Sequence, residues 1–252
     1  MGKGRIKKLN KKTIYQILAV CFWLLVWEAS SRAIGKEILL VSPVKVLFII
    51  FRLVKDADFW QTIAFSSLRI LSGFLLALFT GIITAALSYK NRLFHELISP
   101  LMKVIKVTPV VSFVLLAIIW INTRNLSILI SFLMVVPVVF SNVLQGLKNT
   151  DEKLLQFAGV FRLGRYKRVK AIYIPAIRPY LISAISVGLG FGFKAGIAAE
   201  VIGFPAKSIG EKLYEAKLYL MTGDLLAWTV IIVLISIFFE KGLMQLFRKE
   251  AA

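Results

Sequence analysis

Six stretches of about 20 predominantly apolar residues recur along this 252-residue chain, and that spacing limits what it can fold into. A helix that crosses a bilayer needs a run of this length, because its backbone polar groups must be satisfied within the segment. The candidates cover roughly 14–33, 66–89, 101–121, 125–146, 179–202 and 225–246. Mean hydropathy is +0.80. The formal net charge is nevertheless +19. A chain can be this greasy and this basic at once if its charges sit outside the hydrocarbon core. The implied fold class is all-α, a polytopic membrane protein. Nucleic-acid binding also goes with a basic chain. Apolar runs that interrupt the basic face at regular intervals exclude that class.

The cysteine and histidine counts narrow the chemistry. Cys21 stands alone inside an apolar run, so no disulfide framework is possible within the chain. His95 is the one histidine, which leaves too few ligands for an ordinary zinc site. The basic tail 1–13, followed by the apolar stretch from Ile14 to Trp27 and Ala29-Ser30-Ser31, has the outline of a signal peptide. We read 14–36 as an uncleaved first transmembrane helix. Between it and the second span, Pro43 opens a short amphipathic helix over 44–54, expected to lie on the membrane.

Charge asymmetry gives an orientation. With the N-terminus in the cytoplasm and six spans threaded, the cytoplasmic segments hold about two-thirds of the 32 Lys and Arg. The acids are biased the other way. Both termini are then expected to be cytoplasmic. Trp27, Trp60, Trp120 and Trp228 fall near the external ends, where an indole prefers the interface. The longest cytoplasmic loop, 147–178, reads as helical. Thr150 is its expected N-cap, with Asp151 and Glu152 in the first turn. Leu154, Leu155, Ala158 and Phe161 form an apolar side, and Arg162, Arg165, Lys167 and Arg168 make the second half basic.

Across residues 38–247 the chain resembles the permease subunits of bacterial ATP-binding-cassette importers, in the branch that carries nitrate, sulfonates, taurine and vitamin precursors. The resemblance rests on segments in the right order: Leu39-Leu40-Val41-Ser42-Pro43, Ser66-Ser67-Leu68-Arg69 with Gly73-Phe74, Val107-Thr108-Pro109, Asn142 with Gly146-Leu147, and Lys194 to Gly203 followed by Ser208-Ile209-Gly210. It implies six transmembrane helices in the type I, MetI-like permease fold. It also implies a cytoplasmic coupling helix that docks on an ATPase. The family pattern there is Glu-Ala-Ala-x-x-x-Gly with a hydrophobic-x-hydrophobic-Pro close. This chain has Gln156-Phe157-Ala158, Arg162 in the glycine position, and Ile172-x-Ile174-Pro175. Loss of that glycine suggests that the turn shifts to Gly164 or that the helix runs on.

Each candidate has a plainer reading beside the functional one. The residues Gln156, Phe157, Ala158, Phe161, Arg162, Gly164, Arg165 and Pro175 belong either to an ATPase-coupling loop or to a basic helix resting on anionic lipid. Lys194 is a cation lining a solute pathway or a snorkelling, ion-paired residue. Glu200, near the outer end of the span, is a pathway or gating candidate or, more simply, half of a structural ion pair. Pro109 and Pro137 kink helices, or Pro109 acts as a gating hinge. Gly188, Gly192 and Gly196 allow close helix packing, with a dimer contact or pore wall as the alternative. Gly159-x-x-x-x-Gly164-Arg165-Tyr166 lacks the lysine, the hydroxyl residue and the preceding strand of a phosphate-binding loop.

The resemblance therefore implies a non-enzymatic subunit of the bacterial inner membrane. Its partners would be ATPase subunits that bind ATP and Mg, an extracytoplasmic solute-binding protein, a second permease copy, and the lipid bilayer, with no nucleic acid and no cofactor bound by this chain. The rival readings are an ion-gradient-driven secondary transporter, which usually places carboxylates at mid-membrane, and a non-transport membrane scaffold.

Overall fold

The computed structural model describes residues 11–249, with side-chain surroundings from 14 to 245. Most of the basic tail expected over 1–13 lies outside the described residues. Every regular element within them is helical. The elements are α1 (Lys11–Ile34), α2 (Pro43–Leu53), α3 (Ala57–Lys90), α4 (Arg92–Val107), α5 (Val110–Trp120), α6 (Leu126–Lys148), α7 (Glu152–Val160), α8 (Arg165–Arg168), α9 (Ile174–Gly203), α10 (Ile209–Leu218) and α11 (Thr222–Lys249). A π-helical turn, Val169–Tyr173, joins α8 to α9. Five helical stretches are long and apolar enough to cross a membrane, and the α4–α5 pair makes a sixth if counted as one broken span. The chain is a multi-pass membrane protein.

That pair corrects the continuous third span expected over 101–121. The chain bends by 104° between α4 and α5. Two consecutive extended residues make the corner: Thr108 at ψ 131° and Pro109 at φ −58°, ψ 135°. Proline disfavours helical backbone in the residue before it and has no N–H to continue the ladder. The apolar run predicts a span by composition alone, and the Thr-Pro step overrides it. With 11 residues, α5 is about 16 Å long, roughly half the hydrocarbon thickness.

α3, α6 and α9 form the centre of the bundle. Ile70, Phe74 and Ala77 of α3 meet Val135 and Val139 of α6 and Ile185, Leu189 and Phe193 of α9, all buried. Lipid is as apolar as these side chains, so close approach and packing hold the helices together rather than escape from water. The small residues fall where the approach is tightest. A Cβ built on Gly73 would stand 2.2 Å from the Ile128 carbonyl oxygen. One on Gly196 would stand 2.6 Å from Ile70 Cγ1. Ser131 Oγ donates to the Gly192 carbonyl oxygen at 2.8 Å, tying α6 to α9. Gly188 lies against Val135 and Phe74.

The remaining helices surround this trio. α1 touches the rest mainly through its C-terminal end, where Trp27 Nε1 donates to the Val41 carbonyl and Ser31 Oγ to the Leu40 carbonyl, both at 3.0 Å. Its other side chains are mostly exposed, as a lipid-facing helix requires. α2 is N-capped by Ser42 and packs on α11, with Arg52 bridging to Asp224 at 2.8 Å. Trp228 of α11 is buried against Phe59 of α3.

Gly73→Ala is expected to destabilise the purified protein by about 1–3 kcal/mol, because the neighbour is backbone and cannot swing aside. Gly242→Ala, in a helical position with nothing within 4 Å, should instead stabilise it by up to about 1 kcal/mol. Thermal unfolding in detergent or nanodiscs compares the two.

Candidate functional site

The segment between α6 and α9 is held at its start by polar contacts. Asn149 Nδ2 donates to the Tyr180 hydroxyl at 2.7 Å. Thr150 is buried and donates to the Gly146 carbonyl at 3.3 Å, so it is not the N-cap expected of it. Asp151 takes that role: its carboxylate accepts from the Lys153 N–H at 2.8 Å. Asp is as good a cap as Thr, and the cap shifts one residue because Thr150 is drawn into the end of α6.

α7 turns little of itself inward. Ala158 is its one fully buried residue. Leu154, Gln156, Phe157, Val160 and Phe161 are exposed, and the Phe157 and Phe161 rings lie 4.3 Å apart between centroids. Arg162 and Arg165 flank this apolar face. Together they make an exposed hydrophobic patch with a cationic rim, the anatomy of a protein-docking surface.

The turn after α7 corrects the expectation that it moves to Gly164 or that the helix continues. Arg162 itself adopts the left-handed conformation, φ 48°. Leu163 N–H bonds the Ala158 carbonyl at 2.9 Å and Arg162 N–H the Gly159 carbonyl at 3.1 Å. This is a Schellman close with arginine in the position glycine usually holds. The two hydrogen bonds and the docked Ala158 hold a backbone conformation that the side chain disfavours. Gly164 is extended, φ −59° and ψ 155°, and caps α8 from open space. Gly159 to Gly164 is thus a helix end joining two helices, with no strand before it.

From Arg165 the helix runs without a break to Gly203, a span of 39 residues. Pro175 and Pro179, which could end a helix, do not interrupt it. The hydrogen-bond register widens instead: Ile174 N–H bonds the Val169 carbonyl, and the π turn absorbs the donor missing at Pro175. Tyr173 packs edge-on against Tyr89 of α3 at 5.8 Å. Beneath this turn is a cavity of about 440 Å³ with an almost wholly apolar lining that includes Ile82, Val143 and Ile177. At 1.5 Å per residue the continuous helix is about 58 Å long, so it connects the loop directly to the centre of the bundle.

The two charged residues of α9 have opposite surroundings. Lys194 is exposed, on one stripe with Val187, Gly190 and Phe191, about 13 Å from the Gly203 end. Glu200 is completely buried. The structural ion pair expected for it gives way to hydrogen bonds: Ser66 Oγ donates to Glu200 Oε2 at 2.7 Å and Gly210 N–H donates to the same oxygen at 3.3 Å. Ser66 in turn accepts from Ile209 N–H at 2.9 Å. One carboxylate thereby joins α3, α9 and the start of α10. A Cβ on Gly210 would come within 2.3 Å of Glu200 Cβ, so the approach needs glycine. Ser66 and Gly210 are 134 and 10 residues from Glu200 in sequence. No local pattern pairs the three, although each stands in a segment that carries the family resemblance.

Pro109, by contrast, sits at the α4–α5 corner and shares no hydrogen bond with these residues. The same α4 puts Lys103 and Lys106 opposite Ser141, Gln145 and Lys148 of α6, around an open cavity of about 520 Å³ that His95 and Glu96 also line. Sequence reasoning counted these lysines only as cytoplasmic charge. Nothing in their spacing signals that a bent α4 brings them to α6.

A profile described as "Binding-protein-dependent transport system inner membrane component" matches residues 73–248. Among curated proteins, the taurine transport system permease protein TauC of Escherichia coli is 24% identical over 88% of this chain and 83% of its own length. The putative aliphatic sulfonates transport permease protein SsuC of Bacillus subtilis is 21% identical over 82% of this chain and 75% of its own. The bicarbonate transport system permease protein CmpB of Synechococcus elongatus is 26% identical over 63% of this chain and 57% of its own.

Arg162→Gly is expected to stabilise the α7 turn by about 1 kcal/mol, the usual cost of a side chain in left-handed backbone. Amide hydrogen exchange across 152–163 measures it as slower exchange.

Proposed function

The chain belongs to the family of binding-protein-dependent transport system inner membrane components, with the MetI-like permease fold, and from that premise we propose that it is the membrane-spanning permease of an ATP-binding-cassette importer for a small polar or anionic solute. Two copies would form the pathway. Two ATPase subunits, which hold ATP and Mg, would sit against the α7 loops, and an extracytoplasmic binding protein would deliver the solute. Both termini would face the cytoplasm, in accord with the positive-inside bias. The relatives named for taurine, sulfonates and bicarbonate point to the solute class.

The observation that carries this reading is the continuous helix that runs from Arg165, next to α7, through Lys194 to Gly203. The exposed Leu154, Phe157 and Phe161 with their Arg162 and Arg165 rim suit a groove on a partner. A four-residue turn joins α7 to the unbroken helix Arg165–Gly203, so movement of the loop would be passed to that helix. A closure of the ATPase pair would therefore reach mid-membrane as a rigid-body rotation of the packed α3–α6–α9 centre against the second copy, the ordinary means of alternating access. Lys194 faces outward from the subunit at a depth where lipid does not tolerate an ammonium. A second copy and a watery pathway between the copies would solve that problem. The cluster of Lys103, Lys106 and Lys148 would continue the same positive path toward the cytoplasm.

The test is reconstitution with candidate ATPases in vesicles. Uptake of taurine, an alkanesulfonate, nitrate or bicarbonate that requires ATP is the expected result. Uptake that follows an ion gradient and ignores ATP, or no uptake with any partner, overturns it. Within an active system, Arg165→Glu should reduce co-purification of the ATPase by about tenfold, the loss of one charge-assisted contact. Lys194→Met should leave the complex assembled and lower uptake. Normal uptake by that variant removes Lys194 from the pathway.

A further inference from the structure

At the outer end of α3 two guanidinium groups share one aromatic ring. Arg69 Cζ lies 3.5 Å from the Phe65 ring centroid and Arg124 Cζ lies 5.9 Å from it. Arg69 is 9% exposed, and its Nη1 is buried without a hydrogen-bond partner. Neither arginine takes part in an ion pair among the described residues. Phe65 and Arg124 also line a cavity of about 350 Å³, with Asn122, Thr123 and Lys207. Lys207 is exposed and stands in left-handed backbone, φ 60°, in the turn that leads from α9 to α10.

The charges do not balance within the protein. Glu200 lies within electrostatic reach of Arg69, with one oxygen, Oε2, taken by Ser66 and Gly210 N–H. The carboxylate of Glu211 accepts the Lys207 backbone N–H at 2.6 Å. Three cations therefore share two carboxylates, each with an oxygen committed to a backbone N–H. A guanidinium buried this deeply is costly without a partner, and a ring face offsets only about 2 kcal/mol of that. Planar forks of N–H donors fit the oxygens of a flat or tetrahedral oxyanion. Asn122 and Thr123 add neutral donors at the same cavity.

We propose that this outer cavity is a binding site for a small monovalent oxyanion, held between Arg124 and Lys207, with the Arg69 guanidinium on the Phe65 ring adding positive charge from outside the lining. It rests on the transport reading, in which it would be the first stop of the solute on the permease, upstream of Lys194. The α9–α10 turn that carries Lys207 is tied to Glu200 through Gly210. Occupancy of the cavity would therefore be felt at the outer end of the moving helix.

The test uses phenylglyoxal, which modifies accessible arginines, on the assembled transporter in nanodiscs, read by peptide mass spectrometry. Nitrate or methanesulfonate at about twice its dissociation constant should slow modification of Arg124 roughly threefold. Chloride at equal ionic strength, which has no oxygens for the guanidinium fork, should not. Arg32, exposed and paired with Glu28 outside the cavity, should react at an unchanged rate throughout. No slowing at Arg124, or equal slowing with chloride or at Arg32, overturns the site. Because the readout is labelling and not uptake, a transporter that moves its solute without protecting Arg124 refutes this site alone. Protection without ATP-dependent uptake refutes the transport reading instead.

Discussion

The bundle depends on how closely α3, α6 and α9 approach one another. In water, apolar faces are driven together whatever their shape. In a bilayer that force is absent between helices, and packing must replace it. Gly73 against the Ile128 backbone and Gly196 against Ile70 remove the side chains that would keep the axes apart. Ser131 adds a hydrogen bond to the Gly192 carbonyl. α1, which has no such small-residue seam, stays at the margin and meets the rest through Trp27 and Ser31.

Polar groups inside this packing act as clasps. Buried polar atoms must be hydrogen-bonded, and here the bonds join elements far apart in sequence. Glu200 draws Ser66 and Gly210 to one point, fixing the C-terminal end of α9 to α3 and α10. Tyr180 with Asn149, and Tyr173 with Tyr89, do the same at the other end. Between these clasps α9 is continuous, and its loop extension ends in an exposed patch.

Much of this was legible in the sequence. Apolar run length revealed the spans, and the ordered segments from Leu39 to Gly210 revealed the family. The proline rule was in the sequence too, since Thr108-Pro109 is a strong corner signal, yet the surrounding run through 101–121 is apolar enough to read as one helix. The Arg162 turn was less accessible. Its residue type argues against left-handed backbone, and two hydrogen bonds to Ala158 and Gly159 outweigh that preference once α7 is docked. The cap at Asp151 was missed because burial of Thr150 depends on where α6 ends.

The sequence by itself determined that the chain is helical and crosses the membrane, and which segments carry the charge. These follow from local quantities: run length, hydropathy and the position of basic residues along the chain. Only the tertiary structure decided what the charges do. Lys194 and Glu200 look alike in sequence, both ionisable residues in one apolar helix. Their fates differ because one face of α9 is covered by α3 and α10 while the face bearing Lys194 is left open. Which face is covered depends on the fit of helices brought together from distant parts of the chain, and no local pattern records that.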